Sequence, residues 1–487
     1  MAEEKISILE QYPNYEVNIG IEVHVQLITK SKIFCTCKNK VTENQNSQIC
    51  QVCSGYPGVL PILNKEVVSK AILVGLATNS EITPISVFAR KHYFYPDLPK
   101  NYQITQDQLP ICKNGTVEIR LKDGTKKTIR LMRIHMEEDA GKNMHSALSD
   151  ESFVDLNRAG TPLLEIVSLP DISSSEEARE YLKTLRLMVQ YLNVCTGNME
   201  EGAFRGDTNI SVRKKGQKEL GTKCELKNIN SFKYISDAIE YEIERQITTL
   251  EQGGKIRQET RLWDEKNRQT VVMRSKEEAA DYRYVEDPDL PLIEVSNEWK
   301  ERIKAQLPEL PNQKFDRLVK EIGLSEYEAD ILINDLKLAN YFEQANKINS
   351  SQQTINWILR DVMGYLKENN ETLIEFKVTP EKLAKIIELL ENGKINNHAA
   401  KEIFEEIAKT GKVPEDIVTE KGLEQIGSEK ELEKIILEII KENPKQVAEL
   451  QSGKDRLFGF FVGQAMQKTK GKGNPNVIQD LLKKYLK

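Results

Sequence analysis

VNIGIEVHVQL, residues 17–27, alternates apolar and polar side chains with the two-residue period of a β-strand. One face of this predicted strand is apolar. The other face carries a carboxylate, an imidazole and an amide, from Glu22, His24 and Gln26. Such a polar face either meets solvent or lines a polar cleft, and the strand by itself leaves both interpretations open.

Two closely spaced cysteine pairs follow the strand, as CTC at residues 35–37 and CQVC at residues 50–53. Two pairs separated by a loop of about a dozen residues are typical of a tetrahedral zinc site with four thiolate ligands. Zn2+ is therefore predicted to bind in a lobe of about residues 33–58, through Cys35, Cys37, Cys50 and Cys53. Four thiolates leave no open coordination position, so this zinc is expected to be structural and not catalytic.

Disulfides and unrelated buried thiols are the alternatives to a metal site. The N-terminal residues MAEEK lead into a polar segment and do not resemble a signal peptide. A reducing cytoplasmic compartment is expected, and disulfides are disfavoured there. The remaining cysteines have no partner at metal-binding spacing and are expected to be packing residues; they are Cys112, Cys195 and Cys224.

The composition indicates a soluble protein of several domains. A chain of 487 residues is too long for one hydrophobic core, and two to four domains are expected. The net charge is only −6, from 69 basic and 75 acidic residues, so composition alone does not indicate a nucleic-acid binder. No apolar run approaches the length of a membrane span, and no membrane association is expected.

Acidic residues recur in two further segments with strand character. A hairpin predicted for residues 116–133 runs into HMEED, residues 135–139. In an extended chain Glu137 and Glu138 point to opposite faces. Glu165 lies in the apolar run LLEIVS, where an ionised carboxylate needs a partner unless it faces water at a strand edge.

Carboxylates together with a histidine are ligands of the kind that Mg2+ takes, and Mg2+ sites commonly serve phosphoryl transfer. We therefore hypothesise that Glu22, His24, Glu137 and Glu165 converge on one Mg2+ site. Their convergence depends on the fold.

Basic and aromatic residues are interleaved in RKHYFYPDLPKNY, residues 90–102, for which an irregular, proline-broken loop is predicted. This combination suits the phosphates and exposed bases of a nucleotide or an RNA end. The alternative is a loop that its aromatic rings hold against its own domain. RGDTNISVR, residues 205–213, would place polar side chains of both charges on one strand face, and a cleft wall is favoured over a solvated surface there.

The composition changes near residue 298. Residues 14–297 mix short β-branched strands with Gly and Pro, whereas Glu, Lys, Leu, Ile and Ala then recur with helical period. A second division near Val413 gives a helical domain, residues 298–412, and a small helical C-terminal domain, residues 413–487. The predicted fold class is α+β with a mixed sheet. A lysine-bearing loop near the C-terminus either meets RNA phosphates or is an ordinary connection.

The motifs, taken in order, resemble the B-subunit family of the tRNA-dependent amidotransferases that make Gln-tRNA(Gln) and Asn-tRNA(Asn). The matching blocks are IGIEVHVQL, the CxC and CxxC pairs, YPGVLP, RKHYFYPDLPKNYQITQ, HMEEDAGK, DLNRAGTPLLEIVS, MEEG, ELKNINSF, QETR and DYRY, followed by the helical tail. They cover nearly the whole chain, and the catalytic blocks show no departure from the family pattern.

The resemblance implies a ligase that forms C–N bonds. In that family the B subunit uses ATP and Mg2+ to phosphorylate the side-chain carboxylate of misacylated Glu-tRNA(Gln) or Asp-tRNA(Asn). Ammonia, released from glutamine by an amidase subunit (A) and passed through a channel, then displaces the phosphate. The implied partners are this amidase, a small subunit (C) that completes a heterotrimer, and the misacylated tRNA.

The resemblance also implies roles for individual residues. The family's Mg2+ ligands fall on His24, Glu137 and Glu165, with Glu22 beside them, and strand alternation favours Glu137 over Glu138. The zinc lobe would support a cradle-shaped catalytic domain, and the C-terminal tail is expected to contact the tRNA elbow.

The ATP contacts are less well specified. No Walker A pattern is present, so the nucleotide would occupy an unrelated pocket, with Arg90, Lys91, Arg158 and Arg205 as candidate contacts. No Ser/Lys amidase motif is present either, so glutaminase activity is expected in a partner. The competing class is a non-catalytic, zinc-stabilised tRNA-binding protein, whereas the closed four-thiolate site excludes a zinc hydrolase.

Overall fold

A computed structural model describes residues 8–145, 151–227, 229, 231–275, 282–425, 429–452, 456–469 and 471–486. The chain forms two compact units, one reaching Lys314 and the other starting at Phe315. Parts of three segments discussed above lie outside the described residues, namely Asn228 and Asn230 of ELKNINSF, Asp281 of DYRY and Lys470 of the C-terminal loop.

The described strands all lie in the first unit. They are β1 Tyr15–Gln26, β2 Glu81–Ile82, β3 Ile85–Ser86, β4 Ala89–His92, β5 Tyr102–Thr105, β6 Cys112–Lys113, β7 Thr116–Arg120, β8 Lys126–Glu138, β9 Lys142–His145, β10 Ser152–Asp155, β11 Pro162–Ser168, β12 Phe204–Lys214, β13 Cys224–Lys227, β14 Glu259–Asp264, β15 Gln269–Ser275, β16 Val285–Glu286 and β17 Ile293–Glu294. Its helices are α1 Ile8–Gln11, α2 Lys65–Ala77, α3 Ser175–Tyr191, α4 Phe232–Glu251 and α5 Asn297–Lys304.

One ten-stranded sheet organises this unit. Its order is β15-β14-β13-β12-β1-β11-β8-β6-β2, and β7 also pairs with β8. β13 and β14 run parallel while the other pairs run antiparallel, so the sheet is mixed. Apolar side chains of α2, α3 and α4 share one hydrophobic core with the apolar face of β1.

The alternation predicted for β1 is confirmed. Ile21, Val23 and Val25 are fully buried, while the side chains between them are only partly buried. The apolar face of β1 meets the helices, so its polar face turns to the opposite side of the sheet. The strand is the central element that positions the site.

The prediction of an irregular loop over residues 90–102 is wrong at both ends. Ala89–His92 and Tyr102–Thr105 are antiparallel strands, and Ala89–His92 also pairs with Val285–Glu286 in a three-stranded sheet. The local sequence did not reveal the strand Ala89–His92, because one of its pairing partners, Val285–Glu286, comes from a remote part of the chain. The hairpin predicted for residues 116–133 is confirmed.

From Pro311 onward the described chain is helical. The helices are α6 Pro311–Lys320, α7 Glu326–Ile333, α8 Leu336–Ile348, α9 Gln352–Trp357, α10 Met363–Asn369, α11 Pro380–Glu391, α12 Asn397–Thr410, α13 Pro414–Lys421, α14 Glu429–Glu442, α15 Pro444–Gln451, α16 Leu457–Lys468 and α17 Pro475–Leu486, with a π-helical turn at Ile358–Val362. Two hydrophobic cores form here, one between residues 315 and 418 and one between residues 432 and 486. The α+β fold class with a mixed sheet and a helical C-terminal region is confirmed.

Among the described helices, none combines the length and the apolarity that a membrane span requires.

Candidate active site and metal centres

Four adjacent strands place polar residues in one row on the open face of the sheet. His24 on β1 is opposite Arg205 on β12 and Glu165 on β11, and Glu165 is opposite His135 on β8. Side chains of directly opposed residues lie close together in antiparallel pairs. The register therefore brings together residues that are far apart in the chain.

Three of these side chains and Glu137 form a compact cluster. His24 Nε2 lies 3.3 Å from Glu165 Oε2 and 3.7 Å from Glu137 Oε1. His135 Nε2 lies 3.5 Å from Glu165 Oε2 and 3.8 Å from Glu137 Oε2. The ligand atoms of His24, Glu137 and Glu165 are all within 4.8 Å of one another, a spacing that one metal ion can bridge.

The charged side chains of this cluster shift one another's pKa values. Burial opposes protonation of His24, but its hydrogen bond to Glu165 and the charges of Glu165 and Glu137 outweigh burial and raise the pKa of His24 to about 9. Burial and the neighbouring Glu165 raise the pKa of Glu137. Burial would also raise the pKa of Glu165, yet the imidazoles of His135 and His24 hold it well below its usual value. Two carboxylates in a buried site are stabilised by a cation between them.

Glu137 and Glu138 have different surroundings. Glu137 faces the cluster and accepts a hydrogen bond from the Thr105 hydroxyl at 3.3 Å. Glu138 lies on the other face, where it pairs with Lys100 and accepts a hydrogen bond from the Ile104 amide at 3.0 Å. Glu138 thus holds β5 against β8, and its carboxylate is already neutralised.

Glu22 lies next to the cluster but is not part of it. Its Oε1 accepts a hydrogen bond from Asn209 Nδ2 at 3.0 Å. Burial raises the pKa of Glu22, and the charges of Glu165, Glu225 and Asp207 add to this effect. The charge of Lys227, whose Nζ lies 2.7 Å from Asp207 Oδ2, offsets part of this rise in the pKa of Glu22.

The cluster opens into a cleft of about 990 Å³. Of the four basic candidates for ATP contacts, Lys91, Arg158 and Arg205 line this cleft. Arg90 does not; it pairs with Asp287 at 2.9 Å and Asp289 at 2.6 Å and lies 4.4 Å from the centroid of the Tyr102 ring. Three of the four candidates therefore share a cavity with the His24 cluster, and Arg90 supports the fold.

Asp139 organises one wall of the cleft. Its carboxylate accepts hydrogen bonds from Gln26 Nε2 at 2.9 Å and from Arg205 Nη2 at 3.3 Å. Arg158 Nε lies 3.6 Å from the same carboxylate and donates to the backbone oxygen of Ala140 at 3.0 Å. These contacts with Asp139 hold the guanidinium groups of Arg158 and Arg205 at the wall of the cleft.

Strand alternation places His135 and Asp139 on the same predicted face as Glu137, but the sequence assigns neither of them a role in the site. His135 was recognisable, because it shares strand alternation with Glu137. Its Nδ1 atom is buried without a hydrogen-bond partner among the described residues. Asp139 gave only the weak signal of one more acidic residue after the strand.

The four predicted zinc ligands form a second cluster. Sulfur atoms of Cys35, Cys37, Cys50 and Cys53 lie within 4.8 Å of one another, and Cys53 Sγ is 4.0 Å from both Cys37 Sγ and Cys50 Sγ. Tetrahedral zinc with bonds of about 2.3 Å separates its sulfurs by about 3.8 Å. All four cysteines are free. The cluster can therefore bind a metal such as zinc, and no disulfide joins these residues.

Comparison with known proteins identifies the family. Residues 17–301 match the GatB/GatE catalytic domain, and residues 340–486 match the GatB domain. The chain belongs to the GatB family. Every residue of the His24 cluster and every clustered cysteine falls within the first matched range.

Curated GatB relatives extend over the full chain. A protein of Thermodesulfovibrio yellowstonii is 51% identical over 474 residues, covering 97% of this chain and 99% of the relative. One of Geotalea daltonii is 52% identical over 476 residues, covering 97% and 99%. One of Persephonella marina is 49% identical over 475 residues, covering 97% and 100%. Each of these relatives is named as the B subunit of an aspartyl/glutamyl-tRNA(Asn/Gln) amidotransferase.

Proposed function

We propose that this chain is the component of a tRNA-dependent amidotransferase that activates and amidates the side-chain carboxylate of a misacylated tRNA. The substrates are Glu-tRNA(Gln), Asp-tRNA(Asn) or both, and the products are Gln-tRNA(Gln) and Asn-tRNA(Asn). The observation that carries this proposal is the convergence of His24, Glu137 and Glu165 in a cleft that Lys91, Arg158 and Arg205 also line.

The donor set of the cluster fits a divalent cation. Glu137 and Glu165 offer carboxylate oxygens, and His24 offers an imidazole nitrogen once the metal displaces its proton, so these three residues would hold Mg2+. Bound there, Mg2+ would neutralise negative charge on the phosphoryl group of ATP as that group is transferred.

The protein's own part is to position the substrates and balance their charge. An oxygen of the substrate carboxylate attacks the γ-phosphorus of ATP, the bond to the ADP oxygen breaks, and an acyl phosphate forms. Ammonia then attacks the acyl carbon, and phosphate leaves as the amide forms. Lys91, Arg158 and Arg205 present positive charge to these phosphates, and fixed charges of this kind need no rearrangement as the reaction proceeds.

The four-cysteine cluster is proposed to bind Zn2+ as a structural ion. Its thiolate donors and its sulfur spacing fit that ion. A closed site of this kind supports the lobe and takes no part in the chemistry.

The proposed assembly is a heterotrimer with an amidase subunit (A) and a small subunit (C). The amidase would release ammonia from glutamine and deliver it to the cleft. The C-terminal helical domain, for which residues 413–487 are proposed, would bind the tRNA. The catalytic domain would span residues 14–297 and a helical domain residues 298–412.

The decisive experiment bypasses the amidase. The purified complex is given Glu-tRNA(Gln), ATP, Mg2+ and ammonium chloride without glutamine, and the amino acid esterified to the tRNA is analysed. Formation of Gln-tRNA(Gln) that requires ATP is expected, and the same assay with Asp-tRNA(Asn) defines the substrate range. If tRNA binds but no amide forms, the chain is a tRNA-binding scaffold and the proposal is wrong.

A further inference from the structure

A lysine is completely buried beside the four-cysteine cluster. Lys32 has no exposed surface, and its Nζ donates to Cys53 Sγ at 3.6 Å and to the backbone oxygen of Leu156 at 3.4 Å. Within the described chain no carboxylate lies within ion-pairing distance of this ammonium group. A buried charge is costly unless an opposite charge compensates it.

The cysteine cluster can supply that compensating charge. Four thiolates around one Zn2+ carry a net charge of about −2. The Lys32 ammonium is close to one of these sulfurs and has the complementary sign. The loaded cluster and the buried lysine thus stabilise each other, whereas neutral thiols would leave Lys32 without a counter-charge.

Lys32 also joins the cysteine cluster to the wall of the cleft. The turn that starts at Leu156 carries Arg158 and ends at Gly160. The amide of Ile33, next to Lys32, donates to Gly160 O at 3.0 Å, and the amide of Gly160 donates to Asp139 O at 3.0 Å. The turn packs closely here, since a Cβ atom on Gly160 would lie 3.5 Å from both Lys32 Cδ and Cys53 Cβ.

We propose that Lys32 is a positioning residue that compensates the charge of the zinc–thiolate cluster and couples zinc binding to the order of the 156–160 turn. Zinc binding then affects the cleft without contacting it, because the 156–160 turn carries Arg158 and Arg158 lines the cleft. The inference rests on the zinc centre proposed above.

Zinc affinity tests the first half of this proposal. Lys32→Met removes the ammonium but keeps a similar volume, and Lys30→Met is the control because Lys30 is exposed two residues away. In the purified complex, competition with a chromophoric chelator should show zinc bound about 10- to 100-fold more weakly in Lys32→Met and unchanged in Lys30→Met. Lys32→Arg keeps the charge and should retain zinc better than Lys32→Met. Equal zinc affinity in Lys32→Met and the wild type would overturn the proposal.

Amide hydrogen exchange tests the proposed coupling between zinc binding and the order of the 156–160 turn. This test can be made on the wild type, so it remains possible even if Lys32→Met fails to fold. Removing zinc from the wild-type complex should speed exchange at Ile33 and Gly160 but leave β11 unchanged. Zinc-loaded Lys32→Met should show the same local acceleration. Unchanged exchange at Ile33 and Gly160 after zinc removal would overturn the coupling. A wild-type chain that binds no zinc would refute the zinc centre itself, which distinguishes that failure from a failure of Lys32.

Discussion

Glu165 faces His24 across the β1–β11 pair, and its Oε2 lies 3.3 Å from His24 Nε2. His135 approaches the same carboxylate from β8, on the other side. Glu165 is therefore the central side chain of the cluster, held between two imidazoles, and it is the residue whose loss should change the site most.

Glu165→Gln keeps the shape of this residue but removes its charge. We expect ammonia-dependent Gln-tRNA(Gln) formation to fall about 10²- to 10³-fold, as when one electrostatic partner of a developing charge is removed. Rates are compared with those of Glu219→Gln, a change at an exposed residue outside the cleft. Activity of Glu165→Gln close to that of the control would show that the cluster is structural.

Glu137 and Glu138 should respond differently to the same substitution. Glu137→Gln removes a proposed ligand, so calorimetric binding of Mg2+ and turnover should be lost while tRNA affinity is retained. Glu138→Gln breaks a buried pair with Lys100 and should lower the free energy of unfolding by about 3 kcal/mol. Its Mg2+ binding should persist wherever the protein is folded. If Glu138→Gln abolished Mg2+ binding and Glu137→Gln only lowered stability, Glu138 would be the metal ligand and Glu137 the structural residue.

Arg158 and Arg90 provide a second matched pair. Arg158 lines the cleft, so Arg158→Met should raise KM for ATP about tenfold or more through the loss of a charged contact. Arg90 pairs with the buried Asp287, so Arg90→Met should lower stability by about 3 kcal/mol. Steady-state kinetics and urea unfolding separate the two effects. An unchanged KM for ATP in Arg158→Met would remove it from the nucleotide site.

Gly75 allows a test of how α2 packs on the sheet. A Cβ atom at this position would clash with Cys112 Sγ and would lie 2.7 Å from Ile82 Cδ1. Gly75→Ala should therefore destabilise the protein by about 1–3 kcal/mol. Cys112→Ala makes room, so the double variant should be more stable than the sum of the single changes predicts. Additive free energies of unfolding would show that the two residues do not compete for space.

Glu242 should make stability depend on pH. It is fully buried, and although burial raises its pKa, hydrogen bonding and charge from Arg245 outweigh burial and lower it. Because the folded pKa lies below the unfolded value of about 4.5, the stabilisation is complete above that pH and is lost as pH falls through the folded value. Urea unfolding should show Glu242→Gln less stable than wild type by about 3 kcal/mol at neutral pH. That difference should shrink in acid, and a difference independent of pH would contradict this account.

Local sequence patterns correctly predicted those features whose residues are close together in the chain. The alternation of β1, the hairpin at Thr116–Arg120 and Lys126–Glu138, and the cysteine spacing each depend on residues close together in the chain. The convergence of His24 with Glu165 depends on pairing between distant strands, and no spacing in the sequence gives that register. The same limit explains why Glu22 was grouped with the cluster and why Ala89–His92 was not recognised as a strand.

Lys32 gave no signal in the sequence. It lies in the stretch SKIFCTCK, in which a lysine is ordinarily exposed. Its burial follows from the fold around the cysteine cluster and the 156–160 turn. Only the three-dimensional arrangement reveals that this charge needs a partner.

The order of strands across the sheet also limits when the site can appear during folding. Glu22 and Asn209, hydrogen-bonded across the central pair, are 187 residues apart in the chain. Contacts between such distant segments form late, because a long loop must close before they gain any stability. Until β11 pairs with β1 and β8 pairs with β11, His24 lacks its acidic neighbours Glu165 and Glu137. Divalent-metal affinity at this cluster should therefore emerge during refolding only once the central strands have joined.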